Sequence, residues 1–261
     1  MNFSLGFSPC PNDTFIFYAL LYRKIDTAGL SFTSVMEDVE TLNEMALAEK
    51  LDITKMSFAA FPLVQQNYSL LDSGSALGNN CGPLVISKRK ISAGEVSECT
   101  AAIPGEHTTA HFLFNRFFPG VKSKRQMIFS KIEDAVLMNE SDLGVIIHEN
   151  RFTYEGKGLQ KVVDLGELWE EQTGLPIPLG GIFMRKKYGK EMTMHVETLI
   201  RNSVLYAFSH PDETIPFVKE HSQEMDEEVI WQHIHLYVNN YSVSLGDKGR
   251  KAVEEFLARE K

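Results

Sequence analysis

A histidine stands directly after the most apolar run in the chain: Leu143-Gly144-Val145-Ile146-Ile147 leads into His148-Glu149-Asn150. In open α/β sheets, ligands gather beyond the carboxyl ends of the strands, so a side chain at that mouth is placed for chemistry. Imidazole, with a usual pKa near 6.5, suits a general base at neutral pH. The bland alternative is a histidine that only packs. Three further segments follow strand-like runs in the same way. In Ser8-Pro9-Cys10-Pro11-Asn12-Asp13-Thr14, two prolines fix φ and remove two amide donors. Asn12 or Asp13 is a natural N-cap for the apolar helix that follows. This loop reads either as a rigid capped turn or as a pre-organised pocket wall whose Asn12 and Asp13 meet ligand hydroxyls. In Thr54-Lys55-Met56-Ser57, Lys55 is a cation at a strand end and Ser57 opens a helix, where hydroxyl and free amides cradle anions. The alternative there is a simple serine cap with Lys55 in solvent. In the segment "PGEHTTAHFLF", Gly105 gives a turn, and Thr108 and Thr109 bring hydroxyls and amides to a helix start.

Other features exclude whole classes of function. His107 and His111 are four residues apart but lack the HExxH glutamate and a third ligand, so no metal site is expected. His233 and His235 lie within a helical pattern that ordinary packing explains. No GxGxxG, GxxxxGK[ST] or GxSxG segment exists, which argues against a nucleotide cofactor and acyl-enzyme chemistry. Cys10 has nothing local to activate it. The three cysteines, Cys10, Cys81 and Cys99, show no CxxC spacing and fit a reducing cytoplasm better than a disulfide framework. A formal charge of −9 opposes nucleic acid and anionic membrane as partners. Any anionic ligand must therefore be held by local groups. No stretch has the length and apolarity of a transmembrane helix, and no signal peptide is evident. A cytoplasmic protein acting on a small molecule is the expectation.

The elements that must position these residues alternate. Strands are expected over residues 2–7, 30–36, 51–56 and 82–89, with helices over 14–21, 39–50 and 58–66; Leu42, Met45, Ala46 and Glu49 mark the helical spacing. The polar stretch "KISAGEVSE" reads as a link. A second series follows, with strands over 100–103, 126–129, 143–147, 161–163 and 180–184 and helices over 107–118 and 132–138. This β-α-β-α rhythm implies parallel strands with crossover helices. Beyond residue 190 strand signals stop. A long helix is expected there, ended by Pro211, then helices over 226–240 and 247–260. The reading is two α/β lobes around a cleft: lobe 1 from residues 1–90 plus 190–261, lobe 2 from residues 91–189.

Taken in order, "SPCPNDTF", "TKMS", "GEHTTAHFLF" and "GVIIHE" resemble the signature segments of the 1,4-dihydroxy-6-naphthoate synthases of the futalosine route to menaquinone. The resemblance runs the length of the chain, with a departure at Asn79 to Cys81, where bulkier or more basic residues are expected. It implies a two-lobed fold like the type II periplasmic binding proteins, with a ligand cleft between lobes and a helical C-terminal segment packed back on the first lobe. It implies a lyase that converts cyclic dehypoxanthine futalosine to 1,4-dihydroxy-6-naphthoate with loss of a three-carbon sugar fragment, and it implies no cofactor. Matched residue by residue, His148 falls on the family's proton acceptor. Lys55, Met56 and Ser57 fall on one substrate-binding segment, and Thr109 and Ala110 on another, with Thr108 adjacent. Two rival readings are the related chorismate dehydratase and a non-enzymatic protein that closes on a small anion. The "SPCPND" and "IHE" segments favour the synthase over the first, and His148 favours an enzyme over the second. The sequence says nothing of oligomeric state.

Overall fold

The computed structural model describes residues 1–222 and 226–258; the last two positions of the helix expected over 247–260 lie outside them. The first half runs β1 (Asn2–Phe7), α1 (Pro11–Leu21), β2 (Ser31–Met36), α2 (Val39–Leu47), β3 (Ile53–Ser57), α3 (Phe61–Val64), β4 (Tyr68–Leu70), β5 (Ala76–Gly78) and β6 (Leu84–Ser87). The middle continues with β7 (Thr100–Ile103), α4 (Thr109–Phe117), β8 (Ser123–Gln126), α5 (Ile132–Leu137), β9 (Leu143–Ile146), α6 (Asn150–Thr153), β10 (Gln160–Asp164), α7 (Leu165–Thr173) and β11 (Ile177–Arg185). The tail is helical: α8 (Gly189–Ser209), α9 (Pro211–His221), α10 (Glu227–Tyr237), α11 (Asn240–Val243) and α12 (Gly246–Ala258).

These strands form two sheets. One has the order β2-β1-β3-β11-β4 with β5 also on β11; the other has the order β10-β6-β9-β7-β8. β1 is parallel to β2 and β3, and β7 is parallel to β8 and β9, as the βαβ rhythm demands. β11 is antiparallel to β3, and β6 to β9. The reason lies in where the chain crosses between sheets. Parallel strands end at the cleft, so a strand arriving from the cleft must run away from it. For the same reason β6 belongs to the second sheet and β11 to the first, the reverse of their expected placement on either side of residues 90 and 189.

Local chemistry accounts for most element ends. Asp38 caps α2 by accepting from the amides of Glu40 and Thr41, and Asp164 caps α7 through Gly166 and Glu167. Pro211 closes off α8 as expected but also opens α9 as its first residue, the position where its missing amide costs nothing. The strand expected over residues 126–129 lies earlier, at β8, whose Ser-Lys-Arg-Gln is an exposed sheet edge without apolar signal.

α1 is buried from Pro11 to Leu20, the mark of a central helix. It packs with α8 and α10 over the first sheet, where Phe3, Leu5, Ile53 and Ile182 meet Ile200, Val204, Ile230 and Ile234. So the tail returns to the first lobe. Another core joins the two lobes: Met56 and Phe58 share it with Val85, Leu143 and Trp169, and α12 adds Phe256.

Candidate active site

A cleft of about 660 Å³, mouth included, opens where the carboxyl ends of β1, β3, β7 and β9 converge. It is lined by Asn12, Asp13, Lys55, Ser57, Thr108, Thr109, Ala110 and His148, all expected from sequence. Met56 is the exception. Alternation along β3 turns Lys55 and Ser57 to the cleft and sends Met56, fully buried, into the core.

The first loop is stiff for a different reason than capping. Cys10, extended at φ −65° and ψ 151°, is the N-cap residue, Pro11 is the first helical residue, and no side chain caps the helix. Neither Asn12 nor Asp13 is the cap. The Asp13 carboxylate instead collects four donors: the Ser8 amide at 3.1 Å, the Ser8 hydroxyl at 2.8 Å, the Asn12 amide at 2.7 Å and Lys55 Nζ at 2.9 Å. Lys55 is buried, not solvated, and also donates to the Gly74 carbonyl at 3.4 Å. Burial of an ion pair is tolerable only with this density of hydrogen bonds. The arrangement fixes the loop and leaves the buried Asn12 Oδ1 without a partner.

Opposite stands a polar wall from β3 and α4. Asn43 locks Ser57 by accepting from its amide at 2.9 Å and donating to its hydroxyl at 3.2 Å. Thr108 is the N-cap of α4, accepting from the His111 amide at 3.1 Å while donating to the Gly105 carbonyl at 2.8 Å. The Thr109 hydroxyl donates to the Leu179 carbonyl at 2.7 Å, tying this helix start to β11 of the first lobe. With both threonine hydroxyls so engaged, what α4 offers an anion is its N-terminal dipole and first-turn amides.

His148 takes a left-handed backbone, φ 59°, at the end of β9. Histidine tolerates that region better than most residues, yet such strain is typical of functional positions. Its ring packs edge-on to Phe129 with centroids 5.0 Å apart, and its Nε2 is buried with no hydrogen bond. Burial pushes its pKa down to about 4, with Lys55 adding to the fall and Asp13 and Asp38 opposing it. The imidazole is therefore neutral at physiological pH and free to accept a proton. Glu149 is the N-cap residue of α6 but gives no side-chain cap bond; its Oε2 lies 3.9 Å from His233 Nε2.

Sequence reasoning passed over several parts of this site. His233, read as a packing residue of a helix, stacks on His148 at 6.3 Å. Ser8, Cys81, Gly82, Leu179 and Tyr237 also border the cleft. Their only sequence signal is position: Cys81 and Gly82 precede β6, and Leu179 lies near the start of β11, so both crossings had to pass the cleft. His107 and His111 are engaged elsewhere, with Glu40 Oε1 at 2.9 Å and with the Glu106 carbonyl at 2.9 Å. Among the described residues one trio of metal-ligating types comes together: Cys10, His148 and Glu149, with ligand atoms within 4.8 Å of one another. A metal there would occupy the His148 ring, and burial pushes the Cys10 thiol well above its usual range, away from the thiolate a metal needs. All three cysteines are free and buried. Among the described residues no helix is long and apolar enough to cross a membrane.

The chain matches a family described as menaquinone biosynthesis over residues 3–261. It is 45% identical over 254 residues to the 1,4-dihydroxy-6-naphthoate synthase of Thermus thermophilus, covering 97% of this chain and 92% of that protein. It is 40% identical over 260 residues to the protein of the same name from Streptomyces coelicolor, covering 98% and 91%. Among solved structures, a protein from Archaeoglobus fulgidus superposes with a TM-score of 0.93 at 32% identity, covering 98% of this chain and 96% of that one. An alkanesulfonate-binding protein from Xanthomonas axonopodis superposes with a TM-score of 0.71 at 12% identity, covering 99% and 93%, a likeness of fold alone. The two-lobed periplasmic-binding-protein-like architecture is thus the fold of this chain.

Proposed function

The chain belongs to the menaquinone-biosynthesis family, and on that premise we propose that it is a carbon–carbon lyase converting cyclic dehypoxanthine futalosine to 1,4-dihydroxy-6-naphthoate. The three-carbon sugar fragment leaves as dihydroxyacetone. The observation that supports this most directly is His148: a neutral imidazole, held at a strained backbone position, at the mouth of the cleft.

The chemistry asks little beyond positioning. The substrate already contains its rings and must lose one proton and break one carbon–carbon bond. Proton removal by His148 sends the electron pair towards a carbonyl as the sugar fragment departs, and the new ring gains aromatic stabilisation. A positioned base supplies about 10² to 10⁴ in rate, and the aromatic product favours the remainder. Ser57 and the amino end of α4 face the same space and suit the carboxylate or an oxygen that gains negative charge. On the other side, Asn12 Oδ1 is left free to accept from a sugar hydroxyl. The Asp13–Lys55 pair stiffens that wall, which gives the two prolines of the first loop their purpose.

The test is turnover of cyclic dehypoxanthine futalosine, followed by naphthoate absorbance, in wild type and His148→Ala together. We expect rapid turnover by wild type and a loss of at least about 10²-fold in kcat for a variant that remains folded. Turnover that survives the substitution would move the base elsewhere. No turnover by wild type, with tight binding of a small carboxylate, would leave a binding protein.

A further inference from the structure

His233 sits on α10, fully buried, with both ring nitrogens free of hydrogen bonds. Buried polar groups without partners are rare because each forfeits its hydration and gains nothing. If this position existed only to pack, phenylalanine or leucine would fill it without that penalty. Its ring neighbours are Phe152 at 6.4 Å and Tyr237 at 4.6 Å between centroids, and Glu149 Oε2 lies 3.9 Å from its Nε2, beyond hydrogen-bond distance. What stands on its open side is His148, whose ring lies 6.3 Å away and only 24° from parallel, and whose Nε2 is also buried and unpartnered. Three unsatisfied imidazole nitrogens are therefore gathered in one buried stack behind the cleft.

We infer that His233 is a positioning residue for the proposed proton abstraction: it fixes the His148 ring and stabilises the imidazolium that forms when His148 takes the substrate proton. The inference rests on the lyase reading above. One proton enters the pair and none is required from elsewhere. His148 holds it while the carbon–carbon bond breaks, then releases it to solvent or product. A neutral His233 imidazole, 6.3 Å away and nearly parallel, offers that transient charge a polarisable dipole where the Nε2 atoms of both rings are out of contact with water. The groups facing the pair are Asp13, Lys55 and Asp38 around His148, Glu149 and Cys10 beside both loops, and Tyr237 on α10 itself. Burial disfavours a proton on His233, and charge on His148 and Lys55 repels it further, so His233 stays neutral when His148 is protonated.

His233→Phe keeps the ring and removes the nitrogens, and His233→Gln returns a polar atom without the ring. We expect His233→Phe to stay folded, with kcat reduced on the order of tenfold or more and KM within about twofold. The acid limb of its kcat/KM profile should move to lower pH, and His233→Gln should recover part of kcat. On the free protein, NMR titration of the His148 ring should show protonation at lower pH in His233→Phe than in wild type, whether or not the futalosine substrate is turned over. Equal kcat and an unmoved His148 titration in His233→Phe would overturn the inference, as would a titration moved upward. Absence of turnover in wild type would instead count against the lyase reading, and the NMR comparison would still decide the coupling of the two rings.

Discussion

His148 is where structure and chemistry pull against each other most. Burial holds its pKa near 4, against a usual value of about 6.5, and burial likewise drives His233 well below the usual range. An unfolded chain exposes both rings to water, so between pH 6.5 and 4 the unfolded state binds more protons than the folded one. Stability from these residues is thus complete above about pH 6.5 and declines as the pH falls towards 4, by at most about 1.4 kcal/mol per pH unit for each proton. Asp52 acts in a separate window. Burial opposes its ionisation, but hydrogen bonds from Tyr188, Ser4 and Lys187 pull its pKa to about 2, so its contribution is lost only below about pH 3.8. Urea midpoints at pH 7 and pH 5 should therefore differ in wild type and differ less in His148→Gln. An equal difference in the two proteins would mean that the His148 ring is hydrated and protonates as it does in an unfolded chain.

At the scale of elements, the sequence exposes positions more readily than partners. Thr100–Ile103 and the apolar strand before His148 stand out because each is a short, nearly continuous apolar run that ends at a turn. β4, β5 and α7 do not. The first two are three residues each, too short for a period, and α7 is a polar helix whose cap, Asp164, doubles as the last residue of β10. Lys55 was legible as a cation at a strand end, yet its partner lies 42 residues earlier, and no local pattern carries that pairing. His233 failed for the same reason from the other side: a helical period explains a buried residue without naming what it is buried against. The crossings show what a single glycine must do at this scale. A Cβ on Gly82 would lie 2.3 Å from the Gly166 amide nitrogen and 2.4 Å from its Cα, both backbone atoms that cannot rotate away. Arg151 grips the same junction, donating to the Gly82 carbonyl at 2.6 Å and to Asp164 at 2.6 Å. Gly82→Ala should force the first crossing away from the start of α7, costing about 1–3 kcal/mol in denaturation and raising KM, since Cys81, Gly82 and Pro83 border the cleft. A variant with unchanged midpoint and KM would show that the junction has slack the structure does not suggest.

The whole molecule is held together by α12. A lobe with its own sheet and crossover helices can in principle unfold alone, and two-lobed proteins often loosen at the connection. Here the C-terminal helix bridges the halves. Phe256 is fully buried between Phe112 of α4, at 4.7 Å, and Trp169 of α7, at 5.5 Å, while its own core cluster reaches Met56 and Phe58 beside the first sheet. Tertiary burial shared in this way couples the lobes, because neither can open without exposing the common cluster. The two tryptophans report on opposite sides of it: Trp169 on α7 in the second lobe and Trp231 on α10 against the first. With each made the sole reporter, by Trp231→Phe or Trp169→Phe, urea unfolding followed by fluorescence should give coincident transitions that match far-UV circular dichroism. Adding Phe256→Ala should lower stability by about 3–5 kcal/mol, the usual cost of deleting a buried aromatic ring. The coupling predicts more than that loss: with the bridge removed, the Trp169 transition should move to lower urea than the Trp231 transition. If the two stay coincident after Phe256→Ala, the lobes are joined mainly through the chain crossings that precede β6 and β11, and the helix merely covers them.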